Sequence, residues 1–285
     1  MRIFPQSFPG FHLFLGRLFL RAGRFLRPLA IMVMRPEDLI RFARETYQDP
    51  AVIAAWGNQE MVDSGLKIDE QELFDELYQK EGRLLLLGLG GGREALFFAR
   101  QGYKVTGVDY IPELVKIADQ HARRQGVKLE GITADINNLA LQPLHYDVVW
   151  FTRPLYSTFP TRKRRIKLLK HLAEAMQPEG CIACQFHFDP GAHPGKSKLR
   201  IRRLVAALTL GNFAYEPGDM LWGGIEFSHA FGSEQEVTSE FAEAKLEIHK
   251  LHFSAYSPRG WAILRKQISP AGHSRPGMGW LNNLA

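Results

Sequence analysis

The 285-residue chain is 45% hydrophobic and 23% charged, a balance that supports a sizeable packed core and excludes disordered and collagen-like classes. Its formal charge of +6 comes from 36 Lys and Arg against 30 Asp and Glu. Residues 1–35 hold six arginines and no acid, so the body from residue 36 onward is neutral and net charge gives no argument for a nucleic-acid partner. Two cysteines exclude a disulfide scaffold and suit a reducing, cytoplasmic setting.

Residues 1–35 read as a segment of their own. Between Phe11 and Met34, Arg17, Arg21, Arg24 and Arg27 interrupt an apolar run every three or four residues, which leaves no stretch of about 18 residues able to span a bilayer. As one helix, this spacing predicts an arginine stripe with Phe14, Leu18 and Phe25 over much of the rest. Such a basic amphipathic helix is suited to peripheral contact with an anionic membrane surface through residues 11–34. An arginine-rich transit segment fits the same composition, and so does an extension preceding a start at Met34.

Residues 36–266 read as one domain. Residues 36–80 form a helical lead-in, with apolar residues at helical spacing in PEDLIRFARETY and DEQELFDELYQK. From Arg83, short apolar runs alternate with helix-length segments: LLLLGL, REALFFARQG, KVTGVD, PELVKIADQHARRQG, KLEGITAD and DVVWFT. That alternation predicts a parallel sheet with crossover helices. A basic helix over 161–177 follows, then the strand-like run Cys181–Phe188 and an irregular insertion over 189–224 on the substrate side. LEIHKLHF and GWAILRK, separated by six residues, predict an antiparallel pair at the sheet edge. The expectation is an α/β fold: a doubly wound, mostly parallel seven-stranded sheet with an antiparallel edge pair. Residues 267–285 read as a tail.

The chemistry gathers at the strand ends. LLLLGL runs into Gly90-Gly91-Gly92, and a helix follows from Arg93, so backbone N–H groups at the helix start can meet a polar or anionic ligand. Asp109 ends the second strand, where an acid can accept hydrogen bonds from both hydroxyls of a ribose. Asp135 ends the third and can accept from the exocyclic amine of an adenine, with Tyr110 and Ile136 as flat or apolar walls.

In this order, the strand, the glycine loop Gly88-Leu89-Gly90-Gly91-Gly92 and the two strand-end acids resemble the class I S-adenosylmethionine-dependent methyltransferases over roughly residues 83–266. The resemblance implies S-adenosyl-L-methionine as cofactor, held by Gly88, Gly90, Gly92, Asp109, Tyr110, Asp135 and Ile136. It implies methyl transfer to a small-molecule acceptor, with no metal. The acid that the family carries two residues before its first glycine is Leu86 here, and Glu94 is the nearest replacement, although a carboxylate in a first helical turn also answers the helix dipole. The acceptor is expected at the ends of the fourth and fifth strands. His187 is there the candidate base, His229 a second, and Arg153 and Tyr156 candidates for orienting the substrate. Phe213, Tyr215 and Trp222 are candidates for the pocket wall.

Two other readings stand beside this one. Gly90-Gly91-Gly92-Arg93-Glu94-Ala95 also satisfies the dinucleotide pattern G-x-G-x-x-A, which implies an NAD(P)-dependent oxidoreductase but gives Asp135 no role. A non-catalytic binding module on the same fold is the third. Cys181 and Cys184 lie three apart on one strand and so face opposite sides, poor geometry for a shared metal. The cluster Arg162 to Arg165, interleaved with apolar residues, reads as the solvated face of an amphipathic helix.

Overall fold

The computed structural model describes residues 10–21, 23, 27–193 and 195–267. The lead-in is built from four short helices, α3 Pro36–Tyr47, α4 Pro50–Trp56, α5 Gln59–Asp63 and α6 Ile68–Asp75, preceded by α1 Phe11–Arg21 and α2 Arg27–Val33. Their starts are encoded locally. Asp49 accepts from Ala51 N–H at 2.8 Å, Asn58 from Glu60 N–H at 2.8 Å and Glu70 from Lys67 N–H at 2.7 Å, each satisfying a donor near the helix start.

The sheet then runs through β1 Arg83–Leu87, α7 Arg93–Arg100, β2 Lys104–Asp109, α8 Pro112–Arg124, β3 Leu129–Thr133, β4 Tyr146–Phe151, α9 Arg162–Ala175 and β5 Met176–Phe188. After β5 come α10 Lys196–Thr209, β6 Asp219–Trp222, β7 Glu226–Phe231, α11 Glu234–Glu243, β8 Leu246–Phe253 and β9 Arg259–Lys266. Strands β3-β2-β1-β4-β5 are parallel, and β9 pairs antiparallel with β5 and with β8. These seven strands are the predicted sheet with its antiparallel end.

Side chains two apart on a strand share a face. Leu85, Leu87, Val149 and Phe151 therefore meet Ile166, Leu169 and Leu172 of α9 and Val237 and Phe241 of α11 on one side. Leu84, Leu86, Val148 and Trp150 meet Phe98 of α7, Ala118 of α8 and Leu73 of α6 on the other. Cys184 belongs to the first layer and Cys181 to the second, both as buried free thiols.

Three expectations need correction. The insertion over 189–224 is not irregular: it contains α10 and β6, and β6 forms a hairpin with β7, which the sequence reading did not assign. With this hairpin the sheet has nine strands among the described residues. It joins β5 through only His187 to Ala230 and Phe188 to Phe231, on the edge that β4 leaves free, because β9 already pairs with His187 on the other edge. Second, the single helix expected over 11–34 is two helices, with Arg24 and Phe25 outside the described residues. Ala30, Ile31, Met32, Val33 and Met34 are fully buried or nearly so, against Leu39, Phe42, Ala206 and Phe227. A segment read as separate from the body thus contributes core side chains. Third, Arg165 leaves the basic face of α9 and is buried in an ion-pair network. Of the tail, residues 268–285 lie outside the described residues.

Candidate active site

At the carboxyl ends of the parallel strands lies an open cleft, the place where doubly wound sheets hold ligands. The glycine loop forms its floor. Gly88 has φ +84°, and a β-carbon there would stand 2.4 Å from Thr152 Oγ1, so only glycine lets β1 leave the sheet against β4. A β-carbon on Gly91 would stand 2.3 Å from the carbonyl oxygen of Trp56, which is how closely the lead-in rests on the loop. Gly88 and Gly90 line the cleft. Gly92 does not: it faces Ala118 and sets the approach of α7 to α8.

Asp109 fixes the shape of this floor. One carboxylate oxygen accepts from Gly90 N–H at 2.8 Å and the other from Ile111 N–H at 3.0 Å. Burial raises its pKa, and the backbone N–H bonds oppose that rise. Each oxygen keeps acceptor capacity beyond these bonds, and Asp109, Tyr110, Ile111 and Leu114 all face the cleft.

Asp135 and Ile136 are not part of the lining. Ile136 packs in the core. Asp135 caps a short turn, accepting from Asn137 N–H and Nδ2 at 2.9 Å, and pairs with Arg44 at 3.3 Å. The same guanidinium lies 5.1 Å from the centre of the Tyr110 ring, so the lead-in supplies the cation at this end of the cleft.

Of the four residues expected near the acceptor, two line the cleft and two do not. His187 lines the cleft at the end of β5. Its Nδ1 pairs with Ser228 Oγ, its ring lies 4.4 Å from that of Trp222, and its Nε2 finds no partner among the described residues. Burial, helped by Arg259, pushes its pKa down to about 4. Arg153, at φ +45°, stands over the Trp56 ring at 4.7 Å, inside the cleft. Tyr156, by contrast, is fully buried away from the cleft, where its hydroxyl donates to Glu240 at 2.6 Å and its ring stacks on Phe231. His229 is enclosed as well, bound to Asp219 at 2.8 Å with Glu236 at 3.3 Å. Asp219, Glu216 and His229 come close enough to share a cation, but Arg165 pairs with Glu216 at 2.8 Å and supplies the positive charge there.

Of the expected wall residues, Trp222 reaches the cleft, whereas Phe213 is exposed and Tyr215 bonds Arg202. Among the lining residues that the sequence does not announce are Tyr47 and Trp56 from the lead-in, Glu226 from β7 and Arg259 from β9. Tyr47 donates to Glu226 at 3.0 Å, and burial pushes the Glu226 carboxyl up to about 7. Glu94 also lines the cleft. It is bonded by Arg93, which forks onto Glu70 at 2.5 and 2.6 Å, and burial raises the pKa of Glu94 despite that guanidinium.

Parts of the chain are similar to known proteins. Residues 84–180 match the family model of a methyltransferase domain. Over 70 residues, 24% of this chain, the sequence is 46% identical to a ubiquinone biosynthesis O-methyltransferase of Yersinia pestis (strain Pestoides F), and that stretch spans 29% of the relative's length. A SAM-dependent methyltransferase from Methanosarcina mazei has the same fold, with a TM-score of 0.54 at 21% identity over 72% of this chain and 100% of that one. The CcbJ methyltransferase of Streptomyces caelestis gives 0.58 at 16% over 78% and 98%. The match over residues 84–180 falls on the part of the sheet that carries the glycine loop and Asp109, and it marks that stretch as similar to a methyltransferase domain.

Proposed function

We propose that this chain transfers the methyl group of S-adenosylmethionine to a small-molecule acceptor in the cleft. The observation that carries the reading is the Asp109 carboxylate, braced by Gly90 and Ile111 N–H and facing a cleft floored by glycine. Its remaining lone pairs suit the two ribose hydroxyls, Tyr110, Ile111 and Leu114 offer an apolar wall for the adenine, and Glu94 takes the place of the acid missing at Leu86. When bound, S-adenosylmethionine supplies a sulfonium-activated methyl group. The protein's part is to align the acceptor, exclude water and receive a proton where the acceptor carries one. Titration calorimetry should show binding of S-adenosylmethionine or S-adenosylhomocysteine and none of NAD(H). The opposite result would return the chain to the oxidoreductase reading.

The acceptor sits, in this proposal, between the methyl position and the wall made by His187, Trp222, Glu226 and Tyr47. The name of the Yersinia relative supports an oxygen acceptor. Two groups can take its proton. His187 has an unpartnered Nε2, but with its pKa near 4 it is neutral throughout the physiological range and a weak base. Glu226, pushed up to about 7, is matched to neutral pH. Once mass spectrometry of a cell extract incubated with S-adenosylmethionine has identified a methylated product, the pH–rate profile separates the two. A rate flat across neutral pH and lost in His187→Ala assigns the proton to His187. A rate rising through about 7 and flattened in Glu226→Gln assigns it to Glu226. Indifference to both substitutions would show that the acceptor needs no base.

Residues 11–34 enter the proposal as a contact with an anionic membrane surface, through α1 alone, since Ala30 to Met34 of the second helix and its end are buried. Among the described residues no helix is long and apolar enough to cross a membrane.

A further inference from the structure

Exposed apolar residues are concentrated on α1, on α10 and on the turn after it. Phe11, Phe14 and Leu18 stand out from α1, Ile201, Leu204 and Leu208 from α10, and Leu210 and Phe213 from the turn after it. Phe14, Leu208 and Phe213 are 63%, 76% and 69% exposed. Positions 201, 204 and 208 form one stripe on a helix, as do 11, 14 and 18. The inner side of α10, through Ala206 and Val205, packs in the same cluster as Ile31 and Met32 of α2 and Phe227 of β7. Leu13 of α1 belongs to that cluster too, and a β-carbon on Gly16 would strike the Met34 side chain at 2.7 Å. Both helices are therefore seated on their inner faces and bare on their outer ones. His12 Nε2 lies 2.9 Å from Thr209 O, which fastens the start of α1 to the end of α10. Phe11 and Leu208 are the sequence neighbours of the two residues in that joint.

The charge carried by these two helices has one sign. Neither α1 nor α10 contains an acid. Arg200 and Arg203 are exposed next to the α10 stripe, and Arg17 lies next to that of α1, where it pairs with Glu45. A second protein surface would be served by the apolar residues alone. A bilayer with anionic headgroups uses both features, since the apolar side chains enter the acyl boundary while guanidinium groups remain at the phosphate level.

We infer that the outer faces of α1 and α10, with Leu210 and Phe213, form one surface that docks on anionic phospholipid. This extends the contact proposed for residues 11–34 to a second helix some 180 residues away and is independent of the cofactor and the acceptor.

The test is co-sedimentation of the full chain with vesicles of phosphatidylglycerol and phosphatidylcholine, against vesicles of phosphatidylcholine alone. Binding is expected to the first, weakened by salt, and little to the second. The triple variant Ile201→Ser, Leu204→Ser, Leu208→Ser is expected to partition at least tenfold less, and the pair Arg200→Glu, Arg203→Glu to lose the preference for anionic vesicles. Melting temperature and S-adenosylhomocysteine affinity should hold in both, because the altered side chains are exposed. If the serine variant fails to fold, the arginine pair decides alone. Equal sedimentation of wild type and the α10 variants, with loss only in Phe14→Ser, Leu18→Ser, would leave the contact to α1 and overturn the inference. Absence of vesicle binding by wild type would overturn it too, and a dimer in sedimentation velocity that the serine variant abolishes would then assign the face to a second copy.

Discussion

Asp109→Ala is expected to weaken S-adenosylmethionine binding by at least tenfold and, in the same variant, to lower the melting temperature. A hydrogen bond to a charged group is worth about 1.5–3 kcal/mol, and about 1.4 kcal/mol is one decade of affinity. Losing two bonds to a ribose would therefore cost on the order of a hundredfold before any change in the loop. The sequence alone presents Asp109 as an acid at a strand end whose loss the fold could ignore. The structure makes it a brace: its two oxygens hold Gly90 and Ile111 N–H in a buried site. Removing it strands both donors and releases the glycine loop. Asp109→Asn keeps one acceptor oxygen and should recover part of the stability with less of the affinity. Calorimetry on both variants, alongside thermal melts, checks the result. A folded Asp109→Ala protein with unchanged affinity would place the ribose elsewhere.

The largest effect on stability is expected from Glu240→Ala. Glu240 is fully buried and accepts from Arg165 Nε at 3.0 Å, from Arg165 Nη2 at 2.7 Å and from the Tyr156 hydroxyl at 2.6 Å. Among the described residues, its loss leaves a buried guanidinium with only the partly exposed Glu216 as a counter-charge and a buried phenol with no acceptor. Breaking a buried pair from one side costs about 3–5 kcal/mol. For a chain of this size, that lowers the melting temperature by on the order of 10 °C. Replacing both charges, Glu240→Leu with Arg165→Met, should regain much of it, because apolar groups need no partner. Denaturant titration of the three proteins measures the difference. A loss below about 1 kcal/mol in the single variant would mean that Glu216 alone satisfies Arg165. The effect should reach the cleft, since Tyr156 is followed by Ser157, whose hydroxyl accepts from His187 N–H at 2.9 Å.

The parts of this molecule that could be read from the sequence are those with local causes. A parallel strand covered on both faces is a continuous apolar run, so LLLL, VVWF and CIAC announced the sheet, and the glycines at 88 and 90 announced the loop beside it. Asp109 was legible because its place at a strand end fixes its direction. Tyr47 and Glu226 were not, because they are 179 residues apart and meet only when α3 packs on β7. Tyr156 misled for a related reason: it follows β4 in a short helical turn that points the ring into the core rather than the cleft. The helix in the insertion was hidden because its apolar residues are split between an inner and an outer face, which removes the one-sided pattern that marks a buried helix.

The seating of α2 has a consequence for how the chain must be made. Ile31 O accepts from Asn212 Nδ2, a bond between residues 181 apart, and Met32 O accepts from Asn212 N–H at 2.7 Å. The pocket that receives Ile31 and Met32 is completed by Ala206 and Phe227. During synthesis, at about 5–20 residues per second, a ribosome needs on the order of 10–40 s to travel from α2 to the end of the hairpin. For that interval Ile31 and Met32 have Leu39 and Phe42 of α3 beside them but lack Ala206 and Phe227. The body can nucleate on its local strand and helix contacts well before then, so the contacts of α2 with α10 and the hairpin are among the last to lock in place.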